Sequence, residues 1–126
     1  MNAIAALGLL VAGIIHLLPL TGVLGADRLA GLYAVRLDDP NLVILMRHRA
    51  VMFGLLGALL VAAAFVPGLR GPALLGGFAS VLSFFYLAWV SGEYSPAIAR
   101  IVYADLIALV GLVAASVVVV LQAKGT

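Results

Sequence analysis

The sequence predicts an all-α fold: an integral membrane four-helix bundle with a short interfacial helix in its first loop. Three observations carry that expectation. The 126 residues are 66% hydrophobic and only 10% charged, whereas soluble domains sit near half apolar and about a quarter charged. Mean hydropathy is +1.29, more apolar surface than a soluble core of this length could bury, so a bilayer is the natural solvent. The apolar residues also gather in four stretches, 2–20, 40–66, 72–90 and 96–122. Each is close to the roughly 20 residues that cross a hydrocarbon core about 30 Å thick. The chain reads as one transmembrane domain.

The elements follow in order. The first stretch has no basic segment before it and is longer than the apolar core of a signal peptide, so it reads as a retained transmembrane helix. The loop at 21–39 is long. Within it, ADRLAGLYAVR places Leu29, Leu32, Tyr33 and Arg36 on one helical face, the pattern of a short helix lying at the membrane surface. The second stretch opens on Asp39-Pro40 and the fourth on Ser95-Pro96. Each pair joins an N-cap side chain to a proline at the first helical position, where the missing N–H would be unpaired anyway. Pro67-Gly68 and Ser91-Gly92 stop the second and third helices. The short turns there make the second, third and fourth helices antiparallel neighbours. Gly8, Gly13, Gly54, Gly57, Gly76 and Gly77 allow helices to approach closely in lipid.

Composition also removes whole classes of function. No cysteine is present, which excludes disulfides, thiolate catalysis and cysteine-held metal or iron–sulfur centres. The net charge of +2 comes without a basic run interleaved with aromatics, so nucleic acid is not an expected partner. No helical His-x3-His or Glu-x-x-His pair points to a dedicated metal site. A transporter is disfavoured, because no pair of broken helices and no charge falls at mid-membrane.

Polar residues collect at one end. Four spans put the N-terminus, the loop near residue 68 and the C-terminus on one face, which carries Arg70 and Lys124. The opposite end carries both histidines, every acid and five of the seven basic residues, with Tyr33, Tyr86, Trp89, Tyr94 and Tyr103. Lysine and arginine counts favour this polar end as cytoplasmic. That preference vanishes if Arg47, Arg49 and Arg100 belong to a site.

Depth marks out the candidates. Residues 50–66 give the second span its apolar length, which places Arg47, His48 and Arg49 at the membrane boundary. Residues 47 and 49 are about 200° apart on a helix. One therefore faces the bundle while the other snorkels to headgroups. Asp105 lies inside the fourth helix, well past its cap, and an ionisable group inside a span is a functional candidate. Arg100 and Asp105 are about 140° apart, poorly placed to pair with each other. Asp105 instead meets the first or second helix, either in a site or in a structural ion pair. His16, among Ile14, Ile15, Leu17 and Leu18, reads either as an interhelical hydrogen bonder or as a functional group. Glu93, in a turn beside Tyr94, completes the set.

The stretches GIIHLLPLTGVLGADRLAGLYAV, DDPNLVILMRHRAVMFGLLGALLVAAAF and YADLIALVGL resemble a group of small bacterial four-helix membrane proteins of unknown function and, more loosely, the DoxX-like family. The polar and turn positions that carry the resemblance are His16, Asp27, Arg28, Tyr33, Asp39, Pro40, Arg47, His48, Arg49 and Asp105. It implies a four-helix fold in a bacterial inner membrane and no particular reaction. Some members of that group are labelled phosphopantetheine adenylyltransferase. This sequence gives that label no support, since it has no phosphate-cradling loop after a strand.

Three functions fit these residues. In the first, the polar end encloses a site for a lipophilic small molecule with a polar or anionic head, such as a quinone, an isoprenoid or a lipid. Arg47 or Arg49 holds the head, with His48, Arg100, Tyr103, Tyr33 and Glu93 around it. His16 and Asp105 are the catalytic candidates, able to move protons; whether the bound molecule is converted stays open. In the second, His16 and His48 on consecutive spans ligate a b-type haem. In the third, the chain is an accessory or assembly subunit of a larger membrane complex. Association into a homo-oligomer is compatible with each.

Overall fold

The structure, a computed structural model, describes residues 2–125. It is all α-helical, with no strand among the described residues. Five α-helices follow one another: α1 (Ala3–Leu17), α2 (Ala26–Tyr33), α3 (Pro40–Phe65), α4 (Arg70–Ser91) and α5 (Pro96–Lys124). Short 3₁₀ segments, Leu18–Leu24 and Pro67–Leu69, lead out of α1 and into α4. Four segments are long and apolar enough to cross a membrane: Ala3–Leu24, Pro40–Phe65, Pro67–Ser91 and Pro96–Lys124. The outer surface agrees, since Leu7, Leu75, Trp89 and Val110 are all largely exposed. This is a multi-pass membrane bundle with α2 as the short helix of its first loop.

The helix starts lie where the cap pairs put them. Asp39 accepts from the Asn41 N–H at 2.9 Å and Ser95 from the Ile98 N–H at 3.3 Å, each satisfying a first-turn donor that follows the proline. Asn2 does the same for α1 at 2.8 Å through the Ile4 N–H. Other boundaries differ from expectation. The first span leaves α geometry after Leu17, because Pro19 has no N–H and its ring would crowd the carbonyl four residues back. The chain tightens into 3₁₀ turns and still continues across to Leu24. The third span starts two residues earlier than expected, since Pro72 is tolerated in a first turn. The loop helix ends at Tyr33, before Arg36, because Ala34 takes a left-handed conformation at φ 54. Arg36 is thus off the helix face, in an exposed ion pair with Asp38 at 3.6 Å.

Helix α1 is the centre of the packing, flanked by α3 and α5, with α4 closing the ring on the far side. Glycine makes the closest approach. A side chain on Gly8 would fall on the carbonyl oxygen of Gly111, and a Cβ on Gly111 would lie 2.7 Å from the Gly8 oxygen. The α1–α5 crossing therefore excludes any side chain at either position. Leu9, Ala12, Leu60, Ala63, Ala108 and Leu112 fill the core around it. Arg70, placed by the sequence at the sparsely charged end, is only 5% exposed. Its Nε donates to the Ala63 carbonyl at 3.3 Å, capping the end of α3, while its Nη2 is buried without a partner among the described residues.

Candidate functional site

Among α1, α2, α3 and α5, with one side chain of α4 in its wall, lies a chamber of about 290 Å³. Its walls are mostly apolar, formed by Ile15, Leu18, Pro19, Leu32, Phe53, Phe84, Ala97, Ile101 and Ala104. The charged groups on it are Arg49, Arg100 and Asp105, joined by Tyr33 and His16. Five of the nine candidates from the sequence meet at this one cavity.

Arg49 is the best-held of them. Its Nη1 donates to the Tyr33 hydroxyl at 2.7 Å. Its guanidinium also lies 4.5 Å from the centre of the Phe53 ring and 5.2 Å from that of Tyr33, within cation–π range of both. Phe53 in turn packs against the His16 ring at 5.8 Å between centres. A stack thus runs His16, Phe53, Arg49, Tyr33, from the bundle core to α2. One hydrogen bond from Arg49 is present among the described residues, and a guanidinium has five N–H donors. The remaining donors have no partner among the described residues, and the side chain that carries them lines the chamber.

Asp105 has no hydrogen bond or ion pair among the described residues. Arg49 lines the same cavity, yet the salt bridge among the described residues is Arg36 with Asp38, in the first loop. Arg49 and Asp105 therefore border the same cavity without closing on each other. Arg100, exposed at the rim, also leaves Asp105 unpaired. The angular separation of Arg100 and Asp105 does prevent a direct pair, but a wide cavity and a long arginine side chain let both reach one chamber.

His16 is 2% exposed and both its ring nitrogens are engaged. Nδ1 lies 2.8 Å from the Ala12 carbonyl and Nε2 lies 3.0 Å from the Ser80 hydroxyl. A carbonyl only accepts, so Nδ1 carries the hydrogen, and in the neutral ring Nε2 accepts from Ser80. His16 ties α1 to α4, which lie diagonally across the bundle. Its ring edge borders the chamber, but its nitrogens are committed to protein partners.

Four candidates lie elsewhere. Arg47 is exposed, and its Nε donates to the Val23 carbonyl at 2.8 Å; it tethers the 3₁₀ segment after α1. His48 is exposed, because the α3 face that turns Arg49 inward turns its neighbour out. Tyr103 is 66% exposed and Glu93 sits in the exposed turn before α5. None of the four lines the chamber. The haem alternative required His16 and His48 to face each other. The fold separates them, one buried with both nitrogens bonded and the other outside.

Two further residues matter here, and the sequence marks them only weakly. Phe53 is four positions after Arg49, one helical turn along the same face, a spacing that was visible. Ser80 interrupts the apolar run of the third span, and only its distance to His16 gives it meaning.

No family model matches this chain, and no curated protein or solved structure is detectably similar to it.

Proposed function

We propose that this chain is a bacterial inner-membrane protein that binds a lipophilic small molecule by its polar or anionic head in the chamber beneath α2. The observation that carries this reading is the state of Arg49. It is clamped on two rings and one hydroxyl, so its position is fixed before any ligand arrives, while its other donors have no partner among the described residues and its side chain lines a cavity of mostly apolar wall. Preorganised, charge-assisted donors of this kind recognise carboxylate, phosphate or carbonyl oxygens. Arg100 at the rim adds a second positive charge. Asp105, unpaired on the same cavity, is the group placed to accept from a hydroxyl on the head or to exchange a proton with it. The resemblance to small bacterial four-helix membrane proteins supports the location.

Mass spectrometry of small molecules that co-purify in mild detergent tests this reading. A lipophilic compound should accompany the wild-type protein and be lost from Arg49→Gln. Identical small-molecule content in the two preparations would overturn it.

A further inference from the structure

Arg49 and Phe53 border a second cavity as well as the chamber. It is a groove of about 430 Å³ between α3 and α4, lined by Met52, Leu55, Leu56 and Leu59 and on the α4 side by Ser80. Met52 and Leu55 are 52% and 61% exposed, so the groove opens on the lipid-facing surface. Beyond Arg49 and the Ser80 hydroxyl, which is already bonded to His16, its lining carries only hydrocarbon and the Met52 thioether. It runs from Arg49 towards Leu59, about 15 Å along α3. A third cavity, of about 520 Å³ between α4 and α5 and lined by Phe85, Trp89, Tyr94 and Leu106, shares no residue with the chamber.

We infer that the α3–α4 groove holds the apolar tail of the molecule whose head occupies the chamber. The ligand is then a long-chain amphiphile with an anionic head and at least about 15 Å of apolar chain, and it enters sideways from the bilayer between α3 and α4. This rests on the reading of Arg49 given above. The groove and the chamber meet at the one fixed cation of the site, which is where the junction between head and tail of such a molecule has to lie. Moving a tail from lipid into the groove brings no hydrophobic gain, because lipid is as apolar as leucine. The head selects the molecule, and the groove decides only where its tail rests. The test is accordingly one of position.

Hexadecyl phosphate carrying a mid-chain diazirine is photolysed with the full chain in phosphatidylcholine nanodiscs, and adducts are mapped by peptide mass spectrometry. Labelling of Met52, Leu55 and Leu59 should exceed labelling of Val102 and Leu106 at least fivefold. The excess should disappear in Arg49→Gln. It should also fall in Leu59→Trp, which fills the groove and leaves Arg49 in place. Equal labelling of the two grooves in the wild type means bulk lipid only and overturns the inference, as does an excess that survives Arg49→Gln. Butyl phosphate, too short to reach along the groove, separates the two readings. If its binding in detergent depends on Arg49 while tail adducts are evenly spread, the head site stands and the groove falls. If its binding is indifferent to Arg49, the head site falls too.

Discussion

The Arg49 guanidinium donates a 2.7 Å hydrogen bond to the Tyr33 hydroxyl, joining the short helix of the first loop to a membrane-spanning helix. Tyr33 is the last residue of α2, and with Leu29 it is one of two buried side chains there. Hydrogen bonds to charged groups contribute about 1.5–3 kcal/mol. Tyr33→Phe keeps the ring and deletes the hydroxyl. Amide exchange over α2 should quicken about tenfold, the equivalent of roughly 1.4 kcal/mol, while α5 exchanges as before. Unchanged exchange over α2 would show that apolar contacts alone hold it down.

Arg49→Lys tests the planar fork. Lysine keeps the charge but loses the stacked guanidinium and the array of fixed donors. The co-purifying molecule should fall to a tenth or less of its wild-type amount, nearly as low as in Arg49→Gln. Retention near the wild-type amount would mean that charge alone suffices.

The His16–Ser80 bond is structural, and its two partners should differ in cost. Ser80→Ala removes one interhelical hydrogen bond, worth about 1 kcal/mol in a membrane protein. His16→Ala removes that bond and also empties ring volume beside Phe53, so its cost should be about 3 kcal/mol. Thermal unfolding in detergent reads both. Equal effects would indicate that the ring does not pack as described.

At the α1–α5 crossing, backbone meets backbone. A methyl on Gly8 would overlap the Gly111 carbonyl, and neither helix can shift without disturbing the core around Leu9 and Leu112. Gly8→Ala should lower stability by more than about 2 kcal/mol. Gly31→Ala, with open space around it, should be neutral or mildly stabilising. Denaturation of both variants in the same detergent checks the contrast.

Arg70 gives the least intuitive expectation. Its replacement by Met loses one hydrogen bond to Ala63 and relieves one buried Nη2 that has no partner among the described residues. The two effects are each of order 1–3 kcal/mol and opposite in sign. Arg70→Met should therefore unfold within about 1 kcal/mol of wild type, whereas Arg70→Ala, which also leaves a void, should be clearly weaker.

Four spans, their order and two of their starts were legible in the sequence, because they depend on local properties. Apolar length sets a span, and Asp39-Pro40 and Ser95-Pro96 set a helix start, whatever the rest of the chain does. The gathering of charge at one end was legible for the same reason, since chain polarity alternates with each crossing. Helical geometry also required that only one of Arg47 and Arg49 turn inward. Which one did so depended on where Tyr33 and Phe53 lay, and that is a contact in three dimensions. Gly111 looked like any other small residue until its carbonyl met Gly8. His16 was undecided between ligand and tie until Ser80, 64 positions away, supplied the partner for its second nitrogen. Hydropathy and caps act within a few residues of the chain, whereas the site is made by side chains from α1, α2, α3 and α5 that share a cavity, so only packing could choose among its candidates.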